Sequence, residues 1–296
     1  MPELPEVETI RRGVAPHVEG RVLRELRIDD ARWCEPLAAA ELAAALEGRR
    51  LEALDRRGKY LIWRFEDEAH LLVHLRMTGT LLIDPAPGTP YERVRFRFDG
   101  PGPELAFCDP RRFGTGELAL GGPALDAFLD ARLGFEPFGP EFTGEALYAL
   151  TRGRRAPIKA FLLDQRRIAG VGNIYADEAL FRARIHPLRP AGAITHAQAS
   201  ALRDAVVAVL EAGLGAGGAT IDDFRHPDGV QGAFQNDFQV HLRRGEPCVA
   251  CGAEVVKLVA AGRGTYVCQT CQPPPRGARV RAPRRAAAVS APRRAA

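Results

Sequence analysis

Two CxxC pairs, Cys248/Cys251 and Cys268/Cys271, stand 16 residues apart near the C-terminus and restrict this chain more than any other feature. Each pair can present two thiolates from one tight turn. Two such turns complete a tetrahedral shell of four thiolates, the donor set of a structural Zn2+ with no open coordination position. Disulfides and redox-active thiols are the other readings. Met1–Ile10 carries Glu3, Glu6 and Glu8 and has no apolar core, so it is not a secretion signal. A reducing cytoplasm is therefore expected, and it disfavours disulfides. Between the pairs, Glu254–Val259 and Thr265–Val267 read as two strands turning at Gly262–Gly264. Cys34 and Cys108 read as small buried thiols.

The rest of the 296-residue chain changes texture once. Short alternating runs fill the first part: Arg21–Ile28, Leu51–Leu54, Tyr60–Phe65, His70–Met77, Thr80–Ile83, Val94–Phe98 and Glu104–Cys108. Period-two alternation with Gly/Pro turns predicts a β-sandwich or barrel. Helices are expected at Glu6–Val14 and Leu37–Leu46. Beyond the Pro/Gly-punctuated Phe135–Glu141 the pattern is helical: Glu145–Arg152, Ile158–Leu163, Ile174–Arg182 and Gln198–Glu211, the last stopped by Gly213. The expected class is α+β. The expected units are a β-sandwich domain with flanking helices (1–135), a linker (136–150), a helical domain (151–240), the cysteine finger (241–272) and a basic tail (273–296). The Gly-rich Gly213–Thr220 follows a helix and lacks a Lys-Ser/Thr, so it is not a phosphate loop. His70 and His74 face one side of a strand, and with no third ligand evident they are not read as a metal site.

Charge sharpens the question of a partner. The net charge is +4, but subtracting the seven arginines from Arg276 to Arg294 leaves 34 basic against 37 acidic residues, or −3 for Met1–Cys271. Any nucleic-acid contact by the folded part must come from locally placed groups. Lysine is used only at Lys59, Lys159 and Lys257, so each asks for a reason that arginine does not satisfy. No apolar run reaches the ~18 residues a membrane span needs.

Met1-Pro2 carries chemistry of its own. Removal of Met1 leaves Pro2 with a secondary amine, partly unprotonated near neutrality. Such an amine attacking a sugar C1′ gives an iminium, an electron sink that stays cationic without a proton. Glu3 and Glu6 stand close enough in sequence to move protons for it. Taken alone, Met-Pro-Glu reads as an ordinary start with Pro2 as a rigid leader.

Met1-Pro-Glu-Leu-Pro-Glu-Val-Glu-Thr9, Arg57-Gly-Lys59-Tyr-Leu61, His74-Leu-Arg-Met77-Thr-Gly79, Asp109-Pro-Arg-Arg-Phe-Gly114, Ile158-Lys159 and Gly170–Glu178 occur in order ahead of the cysteine finger. Together they resemble bacterial formamidopyrimidine-DNA glycosylase over Met1–Cys271. The resemblance implies a helix–two-turn–helix module and a bifunctional glycosylase/AP lyase for oxidised purines. It implies Pro2 as nucleophile, Glu3 as acid/base partner, Glu6 as support, and Lys59 at the catalytic centre. Met77, Arg111 and Phe113 align with the residues that fill the gap left by a flipped base. Lys59, His74, Asn173 and Arg263 align with phosphate contacts, and Arg112 and Lys159 fall in matching blocks and join the DNA-contact set. Asn173 also reads as the N-cap of its helix, where amides suit phosphate. Roughly Thr220–Phe234 aligns with a mobile loop over the flipped base.

The implied partner is double-stranded DNA with oxidised bases or abasic sites, met by a cytoplasmic monomer. An endonuclease VIII-type relative acting on oxidised pyrimidines, or a non-catalytic zinc-containing DNA-binding protein, are the alternatives. The chain departs from the family at His241-Leu242, where Tyr-Gly is usual, and in its long arginine-rich tail.

Overall fold

The structure, a computed structural model, describes residues 1–220 and 227–277. The tail from residue 278 onward and residues 221–226 of the expected mobile loop lie outside the described residues.

Helix α1 (Leu4–Val18) starts on Leu4-Pro5, with Glu3 extended before it and acidic Glu6 in its first turn. Then come β1 (Leu23–Ile28), α2 (Ala39–Leu46), β2 (Leu51–Arg57), β3 (Tyr60–Phe65), β4 (Ala69–His74), β5 (Thr80–Ile83), β6 (Glu92–Phe98), β7 (Leu105–Cys108) and β8 (Thr115–Leu120). They form two antiparallel four-stranded sheets, ordered β2-β3-β4-β8 and β1-β6-β7-β5. The sheets are held face to face by apolar side chains. Trp63 of β3 stacks on Phe96 of β6 at 5.0 Å between ring centroids, and Leu23, Leu71, Leu81 and Phe107 are fully buried around them. The expected sandwich is therefore present.

Helix α3 (Gly122–Asp130) leads out of the sandwich to α4 (Gly144–Thr151), α5 (Ile158–Leu163), α6 (Asn173–Arg182) and α7 (His196–Gly215). Phe142, Leu147, Phe161, Leu180, Leu202 and Leu210 make a second core. Strands β9 (Val256–Ala260) and β10 (Arg263–Val267) form the finger hairpin, packed through Val255 and Tyr266 onto Phe181 and Val240. Helix α1 joins the two main cores. Val7, Ile10, Val14 and Val18 lie in the sandwich core, whereas Leu4 lies in the helical one. The start of the chain is thereby pinned where the two halves meet.

Several expectations need correction. Strand β8 and helix α3 lack a sequence-level counterpart. The predicted strand His70–Met77 ends at His74, because Arg76 turns the chain at φ +54°. From Gly144 onward the predicted linker is α4, whose Leu147 is buried in the helical core. Gly213 does not stop α7. It sits inside the helix, where a Cβ would stand 2.5 Å from the Tyr175 ring, so the missing side chain makes room for a crossing aromatic.

Candidate active site and nucleic-acid cleft

A cleft of about 280 Å³ opens at this junction. Pro2 and Glu3, just ahead of α1, and Glu6 within it line one side, Met77 and Arg111 reach it from two sheet loops, and Asn173, His241 and Arg263 from the opposite wall. Met1 also lines it and is 41 % exposed, while Pro2 is buried.

Glu3 is held by the start of α6. Its Oε1 accepts the Ile174 N–H at 3.0 Å, and its Oε2 is buried without a hydrogen-bond partner. The close approach requires Gly172, since a Cβ there would stand 2.2 Å from the Glu3 Cδ. Gly172, not Asn173, occupies the N-cap position, and Asn173 is the first helical residue. Asn173 directs its amide to the Gly264 carbonyl at 3.1 Å, tying α6 to the finger hairpin.

Glu6 is a buried junction. It accepts from the Glu3 amide at 2.8 Å, the Tyr175 hydroxyl at 2.7 Å and the Ala219 amide at 2.8 Å. Burial, aided by the Glu3 carboxylate, pushes its pKa above the ordinary value. Lys59, on the tight turn between β2 and β3, lies buried near Glu3, Glu6 and Arg263. Burial pulls its pKa down against the pull of the two carboxylates. His74 is held neutral at a pKa of about 3 by burial and by the positive charges of Arg76 and Lys59. Its Nδ1 accepts the Arg76 N–H at 2.9 Å, so the ring proton sits on Nε2.

Asp109 organises the loop after β7. It is fully buried and accepts from the Thr78 hydroxyl and from the amides of Arg111 (3.1 Å), Phe113 (2.8 Å) and Gly114 (2.8 Å). The loop so held presents Phe113, 51 % exposed, with the Arg111 guanidinium 4.9 Å from its ring centroid. Arg112 turns the other way at φ +58° and pairs with Asp30 at 2.6 Å. Phe113 and Arg112 line an adjoining groove with Met1 and Met77 rather than the cleft itself.

Lys159 requires a correction. Its side chain is fully buried, bound to Asp177 at 2.6 Å and to the Thr265 hydroxyl at 2.8 Å. It mounts the finger on α5 and α6 and offers no ammonium to a ligand surface. Arg263, on the exposed hairpin turn, has no carboxylate within salt-bridge distance among the described residues, and neither has Arg111. The sequence reading missed Asp109, Tyr175, Asp177 and Glu178. The last three stand inside the Gly170–Glu178 block, but their hydrogen-bond partners are 61 or more residues away except at Lys159.

The four cysteine Sγ atoms lie within 4.8 Å of one another. Cys248 and Cys271 are 3.9 Å apart, and Cys251 and Cys268 3.5 Å. Thiolates at ~2.3 Å from a tetrahedral zinc stand about 3.8 Å from each other, so the four fit one structural Zn2+.

Comparison with known proteins agrees with this geometry. The family model "Formamidopyrimidine-DNA glycosylase N-terminal domain" matches residues 1–116, and the "H2TH domain" model of the same family matches 133–225. "Zinc finger found in FPG and IleRS" matches 245–274, which contains all four cysteines. The formamidopyrimidine-DNA glycosylase of Paracoccus denitrificans is 45 % identical over 286 residues, covering 92 % of this chain and 100 % of the relative. The crystal structure of the Thermus thermophilus MutM (Fpg) protein has a TM-score of 0.82 at 44 % identity, covering 92 % of this chain and 98 % of that one. A complex of Lactococcus lactis Fpg with DNA containing an abasic site has a TM-score of 0.85 at 34 % identity, covering 92 % and 100 %. The chain belongs to the formamidopyrimidine-DNA glycosylase family.

Proposed function

We propose that this chain excises oxidised purines from duplex DNA and cuts the strand at the resulting abasic site, acting as a monomer in a bacterial cytoplasm. Among the described residues, no helix is long and apolar enough to cross a membrane. The observation that carries the reading is the buried, half-satisfied Glu3 carboxylate beside Pro2 in the cleft. The names of the relatives and the abasic-site DNA bound by the Lactococcus lactis protein support it.

In this reading the Pro2 nitrogen, freed of Met1, bonds to C1′ of the damaged nucleotide as the bond to the base breaks. Glu3 takes the proton that the Pro2 nitrogen sheds and passes it through its unpartnered Oε2 to the ring oxygen, so that the C1′–O bond of the ring breaks and leaves an iminium. The iminium draws off the electrons of a C2′–H bond, whose proton passes to solvent as the 3′ phosphate leaves, and loss of the C4′ proton to solvent then releases the 5′ phosphate. Water returns Pro2 as the free amine. Glu6 fixes the backbone of Glu3, and Lys59 supplies positive charge behind both carboxylates. Met77, Arg111 and Phe113 fill the space left by the flipped base. Arg263, Asn173 and His74 take backbone phosphates, His74 as a neutral donor.

Borohydride trapping tests the reaction. The mature protein should become covalently linked to DNA containing 8-oxoguanine, and a form retaining Met1 should bind the same duplex without linking. Equal trapping by the two forms would remove Pro2 from the mechanism. A second reading concerns the lesion: the wild-type Lactococcus lactis protein has also been crystallised with DNA containing an oxidised pyrimidine. Faster excision of thymine glycol than of 8-oxoguanine would favour it.

A further inference from the structure

His241 stands where the family usually carries tyrosine, and its surroundings assign its protons. Its Nδ1 lies 2.9 Å from Asp177 Oδ2. The other oxygen of that carboxylate takes the Lys159 ammonium at 2.6 Å, and Oδ2 also faces the Tyr266 amide at 3.3 Å. A carboxylate so surrounded by donors is an acceptor only, so Nδ1 carries hydrogen. In the neutral ring Nε2 is then a bare lone pair. The ring is fixed edge-on between Phe238 (5.3 Å) and Tyr266 (5.0 Å), and the residue lines the cleft together with Asn173 and Arg263.

The charged groups around it come from every neighbouring element. Asp177 and Glu178 face it from α6, the latter accepting the amides of residues 239, 240 and 241. Lys159 reaches Asp177 from α5, and Arg263 and Tyr266 belong to β10. Across the cleft stand Glu3, Glu6 of α1, and Arg111. A backbone phosphate offers only acceptor oxygens. A neutral His241 with hydrogen on Nδ1 opposes such an oxygen lone pair to lone pair, whereas the imidazolium donates to it. A tyrosine hydroxyl donates at any pH below about 10.

On the DNA-cleft reading above, we infer that His241 is a phosphate contact that engages DNA by taking up a proton, so that binding of damaged DNA by this chain is linked to pH at a point where a tyrosine-bearing relative is indifferent. His74 makes the contrast inside the same molecule. Its Nδ1 is the acceptor and its Nε2–H the donor, so it needs no proton to meet a phosphate.

The test uses the full-length, zinc-loaded protein and a duplex carrying a tetrahydrofuran abasic analogue, which has no reactive C1′ for Pro2. Kd is measured from pH 6 to 8 at constant ionic strength for the wild type, His241→Tyr and His241→Gln. Proton uptake is read by calorimetry in buffers of different ionisation enthalpy. One linked proton limits the slope to a tenfold change per pH unit. Wild-type Kd should rise about tenfold more across this range than that of either variant, with about one proton more taken up. Zinc content and melting temperature identify a variant that has lost its fold. A wild-type Kd that does not change between pH 6 and 8 overturns the inference without any variant, as does equal proton uptake by the wild type and a folded variant. Failure of the wild type to bind the duplex at any pH would instead strike the DNA-cleft reading.

Discussion

The two walls of the cleft are built on different principles. On the sheet side the candidate gap-filling residues Met77, Arg111 and Phe113 ride on loops, and one buried carboxylate, Asp109, gathers the amides of 111, 113 and 114. Arg111 and Phe113 are exposed on that loop, whereas Arg112 folds back onto Asp30. On the helical side the polar groups are sunk into the protein. Lys159, Asp177, Glu178 and His241 are each at most 4 % exposed and bond one another or the backbone of the finger. A wedge that enters a base stack must be free to move against DNA. A surface that receives a backbone must hold its donors still.

Zinc removal is the largest lever on this difference. Binding of a structural zinc is worth about 10–16 kcal/mol in isolated finger peptides, and the finger's own apolar core is small. Chelation should unfold the hairpin, release Arg263 and the Asn173–Gly264 bond, and weaken DNA binding by at least tenfold. Both tryptophans, Trp33 and Trp63, lie in the sandwich core, so their fluorescence reports the sheet side alone. It should stay native after chelation. A parallel loss of the tryptophan signal would show that the two walls fold as one unit.

Matched substitutions separate the walls next. Asp177→Asn leaves the Lys159 ammonium buried without its ion pair, a loss expected to cost about 3–5 kcal/mol. Asp109→Asn keeps one acceptor oxygen but turns an amide toward backbone N–H donors, at about 1–3 kcal/mol. Thermal unfolding should therefore rank Asp177→Asn as the more damaging change. Single-turnover excision by Asp109→Asn should fall while Kd for the tetrahydrofuran duplex changes little, since the loop it disorders acts on the flipped state. The reverse ranking in stability would put the rigid lattice on the wrong wall.

These contrasts also explain what the sequence could disclose. Tyr60–Phe65, Thr80–Ile83 and Ile158–Leu163 are delimited to the residue by their apolar patterns. Strand β8 was illegible because it is an edge strand whose Gly116 and Ala119 dilute its alternation. The motif residues Pro2, Glu3, Glu6, Met77, Arg111, Asn173 and Arg263 converge on one cleft although they span most of the chain. What did not show was the supporting lattice. Asp177 meets His241 64 residues away, and Tyr175 meets Glu6 169 residues away, separations that no local spacing can signal. For the same reason Lys159 looked like a ligand contact: its rarity marked it as special, but only packing tells a buried tether from a surface cation.

The smallest effect concerns the residue beside His241. Leu242 adopts φ +61° and is 49 % exposed. A left-handed conformation costs a leucine about 1–2 kcal/mol, while glycine in its place loses about 0.5–1 kcal/mol of chain freedom. Glu178 grips the three preceding amides and so holds the strained turn in place. Leu242→Gly should therefore stabilise the protein by about 0.5 kcal/mol, a rise of about 1–2 °C in Tm. It should leave the pH dependence of DNA binding unchanged, because the Asp177–His241 bond does not involve Leu242. The side chain also lines a surface groove with Val249, which is 58 % exposed. A fall in Tm on substitution would mean that this apolar contact outweighs the backbone strain. The helical wall would then depend on surface packing at its edge as well as on its buried ion pairs.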